Sequence, residues 1–435
     1  MRDKRTRRGG RRTGPVSVRG AWRTPAPAAL TTTGPHAPVP SSPPRAPDGA
    51  GSAVRGPSAA VRAALPAALA RWLARQDWTL WALGLIALLA LIPRLYGLNW
   101  DANNHLHPDE RAIVFKAICL YFPGTPRPGG CTDPVYTGPG WFFSPYSPLN
   151  PHFFAYGTLP QYLLAGVAHL LAWITTLTHG RFVPPDGGAW DDFNHFTLVG
   201  RALSALFDAV SVLLAGLLAR RLSGRWAGLL AAAFVATTPF EVQVAHFYAV
   251  DTLLLCFVLL TLLGCVALAQ GPRVRATAPA VAGAEPPPPP LGYGSAARWG
   301  LLIGLGCGLA FAVKVSAAPL LVPIGIALLL RWRRRGFEEA ALALACALGA
   351  ALGAYVLTSP YTLIDWPNFI AQVREQTMLS QGQLDYPYVR QFAGTTPFVY
   401  QIKQLLRFDR GWALGLLGLA GFLWAATRLW RSLNN

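Results

Sequence analysis

From residue 78 to near its end the chain alternates long apolar runs with shorter polar stretches. The runs fall at about 78–97, 158–177, 197–219, 226–243, 247–269, 299–314, 316–331, 338–358 and 411–430. A helix needs roughly 20 residues to cross the hydrocarbon core of a bilayer, so these lengths predict an all-α, polytopic membrane protein. Cytoplasmic loops are enriched in Lys and Arg, which gives the runs a direction. Arg220, Arg221 and Arg225 mark one cytoplasmic turn, and Arg273, Arg275 and Arg298 frame a second around EPPPPP. RWRRR at 331–335 marks a third, and Arg428 with Arg431 marks the far end.

These assignments leave the chain outside after the first helix and outside again on entering the helix at 197. The run at 158–177 is therefore expected not to cross. Gln161, Ala165, Ala168, His169, Ala172 and Thr176 share one helical face, while Leu159, Leu163, Leu170, Trp173 and Ile174 lie off it, the pattern of an interfacial helix. The expectation is about eight spans with both termini cytoplasmic. It leaves two large extracytoplasmic segments: 98–196, holding the interfacial helix and the start of the second span, and 359–410. Aromatic and proline-rich stretches such as GPGWFFSPYSPLNPHFFAYGTLP suggest ordered loops packed at the bilayer surface.

Charge changes this picture little. The formal charge is +18, but residues 1–76 carry 14 Lys/Arg against Asp3 and Asp48. The basicity is mostly a property of that stretch and does not point to nucleic acid. With few large apolar residues, 1–76 reads as a disordered, basic cytoplasmic tail near anionic lipid. It lacks the apolar core and cleavage site of a signal peptide, so the first helix is expected to be retained. Residues 270–298 read as a Pro-rich cytoplasmic linker within a transmembrane domain spanning 77–430. Of six cysteines, Cys256, Cys265, Cys307 and Cys346 lie in apolar runs as small core residues. Cys119 and Cys131 fall in the first extracytoplasmic segment, where a disulfide is chemically permitted.

The densest ionisable cluster, HPDER at 107–111, lies in that same segment. Asp109 and Glu110 are neighbours and would point about 100° apart on a helix, so one of them is the functional group and both are candidates. A carboxylate here, near Arg94, His107 and Arg111, can take a proton from an incoming hydroxyl or amine, or hold a divalent cation such as Mg²⁺ or Mn²⁺. The bland alternative is a helix start with Pro108 in its first turn and acids favouring the N-terminus. Charge within a span is costly and usually tied to a site. Arg201 and Asp208 share a helical face near the outer end of their span, His246, Tyr248 and Asp251 fall in HFYAVDTLLL, and Lys314 sits in AFAVKVSAA. Each has a structural reading too: an ion pair, an interfacial hydrogen bond, a snorkelling anchor. All of them approach the leaflet that carries HPDER, and their convergence favours a site.

RLYGLNWDANNHLHPDER, NPHFFAYGTLPQYLLA, VGRALSALFDAVSVLLAGLLARRLSGRWAGLLAA, HFYAVDTLLL and GLAFAVKVSAAPLLVP, taken together and in order, resemble glycosyltransferase family 39. These are integral membrane enzymes of the GT-C fold related to protein O-mannosyltransferases and the aminoarabinose transferases of lipid A. The resemblance implies a GT-C-like helical bundle and transfer of a sugar from a polyprenyl-phosphate-linked donor to a lipid, glycan or protein acceptor. That transfer would occur on the extracytoplasmic face of the plasma membrane. It further implies an acidic base in the first outer loop, which maps onto Asp109 with Glu110 beside it, and a juxtamembrane helix at 158–177. Lys314, Arg201 and Arg94 then become candidates to hold the donor phosphate. His107, Arg111, His246, Tyr248 and Asp251 are candidates to contact substrate. Attack from the face opposite the phosphate would invert the anomeric centre. The chain ends after fewer spans than fuller family members, as a short or truncated member would.

No nucleotide-sugar signature competes: WDDF at 190–193 is not a spaced DxD, and no Gly-rich phosphate loop follows a strand. A transporter or lipid flippase would use the same intramembrane charges, yet no internal repeat is visible and the charges gather near one face. A non-catalytic scaffold of the cell envelope would keep the fold and leave Asp109 unused.

Overall fold

The computed structural model describes residues 77–271, 292–409 and 411–434. The basic stretch 1–76 and most of the Pro-rich linker lie outside the described residues. Within these limits the chain is all-helical, with no strand among the described residues. The main elements are α1 (Trp78–Leu95), α2 (Pro108–Ile118), α3 (Leu159–Leu177), α4 (Phe193–Ser223), α5 (Arg225–Thr237), α6 (Pro239–Val244) and α7 (Val250–Gln270). They are followed by α8 (Tyr293–Val313), α9 (Leu321–Arg335), α10 (Phe337–Thr358), α11 (Tyr361–Ile364), α12 (Trp366–Ser380), α13 (Val399–Gln404) and α14 (Gly411–Asn434).

Among the described residues, six helical segments are long and apolar enough to cross a bilayer: α1, α4, α7, α8, Val315–Arg335 and α10. Eight spans were expected. The run at 226–243 is broken, because Pro239 starts a new short helix and leaves α5 with 13 residues. The run at 411–430 lies within the 24-residue α14. The helix at 159–177 is not among the six. Its Gln161, Ala165 and Ala168 are buried and Leu170 and Trp173 exposed as expected, but Leu159 and Leu164 are buried too while His169 and Thr176 are exposed, so the small-residue face packs on the bundle only over the first half of the helix.

Small residues set the bundle's closest contacts. Gly300, Gly304 and Gly308 recur every four residues on α8, and a Cβ on each would lie 2.4, 2.1 and 2.4 Å from the carbonyl oxygens of Ala343, Ala347 and Ala351 on α10. Without a Cβ the backbones approach closely, which is how helices associate where lipid supplies no hydrophobic drive. The other clusters are Leu83, Ala87 and Ala90 of α1 against Val212 and Ala232, and a larger core joining α2, α3, α4, α7 and α8.

Buried ion pairs pin the bundle. Arg94 bonds Asp208 across α1 and α4, with further donation to the carbonyls of Ala90, Ala236 and Val235. Arg331 pairs with Glu339 at 2.5 Å, joining α9 to α10.

Candidate active site

The helix carrying HPDER starts as its sequence dictates. His107 is the N-cap, accepting from the Glu110 amide at 3.4 Å, Pro108 takes the first turn, and Asp109 and Glu110 follow at the positive end of the helix dipole. The register turns the two carboxylates to different surroundings. Glu110 is fully buried and receives Arg201 Nε at 2.9 Å, Arg201 Nη2 at 2.7 Å and the Tyr248 amide at 2.8 Å. Asp109 is half-buried and faces Tyr156.

Arg201 is the hub of the inner side. Besides Glu110, it donates to Asp101 at 3.0 and 2.8 Å and to the Leu98 carbonyl at 2.7 Å. One guanidinium thus clamps the loop 98–101 to the first turn of α2. Asp101 also accepts from the Leu106 amide, at 3.2 Å. The Arg201 hydrogen bonds, against the opposing effect of burial, hold its carboxyl down at about 2. Gly200 makes room for this packing, since a Cβ there would meet the Tyr248 ring at 2.6 Å. Tyr248 donates its hydroxyl to the Pro160 carbonyl at 2.7 Å.

The outer side gathers around Tyr156. Its loop is laid directly on the end of α8: Gly157 donates to the Val313 carbonyl at 2.8 Å, and a Cβ at 157 would sit 1.8 Å from the Ala312 oxygen. Only glycine allows that approach, and it carries the adjacent Tyr156 ring to Lys314, whose Nζ lies 5.5 Å from the ring centroid. Lys314 leaves α8 in extended backbone, half-buried, with no ion pair among the described residues. Burial raises the Tyr156 phenol well above its ordinary value. The Asp109 charge and the hydrogen bond to Asp109 push it the same way, as does the Asp251 charge. The hydroxyl therefore stays protonated beside the Asp109 carboxylate. Asp251, in the first turn of α7, is exposed.

The 144–158 loop is fixed from behind by the second large loop. Asn150 donates to Asp365 at 2.9 Å, the Phe154 amide to Gln372 at 2.6 Å, and Thr158 to the Thr358 carbonyl at 2.9 Å. Phe154, Tyr361 and Phe369 form the apolar seam. Cys119 and Cys131 are joined by a disulfide, tying the end of α2 to the following loop.

Of the candidates read from sequence, Asp109, Asp251 and Lys314 meet around one ring. Glu110, Arg94 and Arg201 are buried in ion pairs away from that ring. His107 packs against Phe247 at 4.6 Å, and both ring nitrogens of His246 meet backbone carbonyls, those of Val242 at 2.7 Å and Tyr96 at 2.9 Å. Arg111 is exposed. Asp101 and Tyr156 were missed. Asp101 carried a signal as a further acid in the stretch leading to HPDER, whereas Tyr156 was one aromatic among many and only the glycine after it hinted at a close approach. No group of three or more His, Cys, Asp or Glu is arranged to hold a metal ion among the described residues.

Fold and site together define a polytopic, all-helical membrane protein with a carboxylate, a phenol and a lysine converging at one end of its spans. The family model described as dolichyl-phosphate-mannose-protein mannosyltransferase matches residues 193–284, from the start of α4 through α7 and beyond. The resemblance to membrane glycosyltransferases of family 39 thus stands on this segment as well as on the dispersed motifs. Comparison with curated proteins finds no match. Among solved structures the chain is similar to the Saccharomyces cerevisiae protein O-mannosyltransferase Pmt1–Pmt2 complex bound to the sugar donor, at 17% identity and TM-score 0.43, over 68% of this chain and 34% of that one. It is also similar to the Archaeoglobus fulgidus oligosaccharyltransferase in its apo form, at 13% identity and TM-score 0.40, over 80% of this chain and 39% of that one. The chain spans about a third of the length of the mannosyltransferase chain it matches.

Proposed function

We propose that this protein is a GT-C-like glycosyltransferase of the plasma membrane. It takes a sugar from a polyprenyl-phosphate-linked donor and transfers it to an acceptor on the extracytoplasmic face, both termini being cytoplasmic. The observation that carries this reading is the grouping of Asp109, Tyr156 and Lys314, flanked by Asp251, in a chain whose α4–α7 segment matches the mannosyltransferase model.

Asp109 is the base. Its carboxylate takes the proton of the acceptor hydroxyl as that oxygen bonds the anomeric carbon. The bond from that carbon to the phosphate oxygen breaks, and the electron pair leaves on the polyprenyl phosphate. The leaving group departs already ionised, so it needs a cation more than an acid, and Lys314 supplies it. Attack opposite the phosphate inverts the sugar. The Tyr156 hydroxyl orients Asp109 and gives up no proton. Arg201, Glu110, Asp101, Arg94 and Asp208 are the frame. Asp251 and Arg111 are left facing outward to meet substrate, and no metal is assigned a step.

Proteoliposomes containing the full chain, offered a panel of polyprenyl-phosphate sugars and candidate acceptors, test the reading through release of free polyprenyl phosphate. Consumption of one donor is expected. Movement of a donor between leaflets with its sugar still attached, and with none consumed, would replace the transferase by a transporter.

A further inference from the structure

A polar seam runs between α4 and α7, beneath the clamp made by Arg201. Ser204, Asp208 and Ser211 recur at helical spacing on one face of α4, and Thr252 and Cys256, four residues apart, share one face of α7. Two contacts bracket the seam. At its outer end the Gly200 backbone lies against the Tyr248 ring, and farther in the Cys256 thiol lies beside the Ser211 hydroxyl and the Asp208 carboxylate. Ser204 and Thr252 fall between those two levels, in the same interval as Asp208.

This interval is closed to solvent: Ser204 and Asp208 are 0% exposed and Thr252 is 2% exposed. Ser211 donates its hydroxyl to the Phe207 carbonyl at 3.0 Å. The Ser204 and Thr252 hydroxyls and Asp208 Oδ1 have no hydrogen-bond partner among the described residues. Buried oxygens in folded proteins are almost always paired, and the demand is strictest between membrane helices.

The chemistry of the three oxygens selects what pairs them. Arg94 already bonds Asp208 through Oδ2, so the carboxylate charge is answered and a metal cation would stand close to the guanidinium. A small neutral molecule that donates twice and accepts once fits instead. It donates to Oδ1 and to one hydroxyl oxygen, and accepts from the other hydroxyl. Buried water makes about three such bonds. We infer that one water molecule is bound between α4 and α7, held by Ser204 Oγ, Asp208 Oδ1 and Thr252 Oγ1. It completes the Arg94–Asp208 pair and keeps the helix of Arg201 in register with the helix of Asp251. The site does not depend on the transferase reading.

Melting of the full chain in detergent, in sodium chloride and in choline chloride, tests it for wild type, Ser204→Ala, Thr252→Val and the double variant. Were the hydroxyls simply unpaired, removing either would leave melting unchanged or raise it. Held by one water, each single substitution strands the remaining partners and should lower the melting temperature by about 2 °C or more. The double variant should lose less than the sum, because the second hydroxyl has by then lost its partner. Melting should be the same in both salts. A single variant melting at or above wild type, strictly additive losses, or a wild type stabilised by sodium over choline would overturn the inference, the last by making the occupant a cation. A density map of the wild-type chain, at a resolution that shows ordered water, needs no variant. One peak within hydrogen-bonding distance of all three oxygens is expected, and a map without it would also overturn the inference.

Discussion

Arg201 has five N–H groups and makes five hydrogen bonds, to Glu110, Asp101 and Leu98, all away from water. Removing it would strand two buried carboxylates. Arg201→Gln should therefore destabilise the protein by about 3–5 kcal/mol, seen as a lowered melting temperature. Lys314→Gln should melt with the wild type and bind donor more weakly. Equal melting of Arg201→Gln and wild type would refute this division. Asp101 adds a pH signature. Its folded pKa, at about 2, lies below the ordinary carboxylate value, so its contribution is complete above that value and is lost as pH falls toward 2. Acid denaturation of Asp101→Asn should be flatter than wild type across that window. At this scale the sequence was half legible. The residues alone left Asp109 and Glu110 both as candidates because adjacency cannot say which is turned inward, only the family resemblance pointed to Asp109, and Arg94, Arg201 and Lys314 were treated alike because a cation's partners lie about a hundred residues away in the chain.

The helices were legible as elements because a bilayer leaves the chain few choices: every backbone polar group must be paired, so apolar length reads as helix. Breaks were harder to see. Pro239 ends the run at 226–243 early, since proline cannot donate within a helix and serves better at its start. The glycine repeat on α8 was present in GLLIGLGCGL, but which partner it faces depends on packing. That partner is α10, and Gly304→Leu should force the pair apart, because the new side chain would start 2.1 Å from the Ala347 oxygen. Cysteine crosslinking between α8 and α10 would register the loss, and unchanged crosslinking would contradict the packing described.

For the whole molecule, the fold divides its charges by task. Buried arginines and their carboxylates hold helices and loops in register, while Asp109, Lys314 and Asp251, around Tyr156, make no salt bridge among the described residues. That division depends on loop 144–158 being held by residues some 200 positions later, such as Asp365 and Gln372, a pairing no local pattern announces. The central claim is that Asp109 performs the chemistry and its neighbour Glu110 belongs to the frame. The most direct measurement compares donor turnover, donor binding and melting temperature for Asp109→Asn and Glu110→Gln in proteoliposomes. Asp109→Asn should melt and bind donor as wild type while turnover falls by about a hundredfold or more, and Glu110→Gln should lose its melting temperature first. Full turnover in Asp109→Asn, or a stable Glu110→Gln that binds donor and cannot turn it over, would contradict the account.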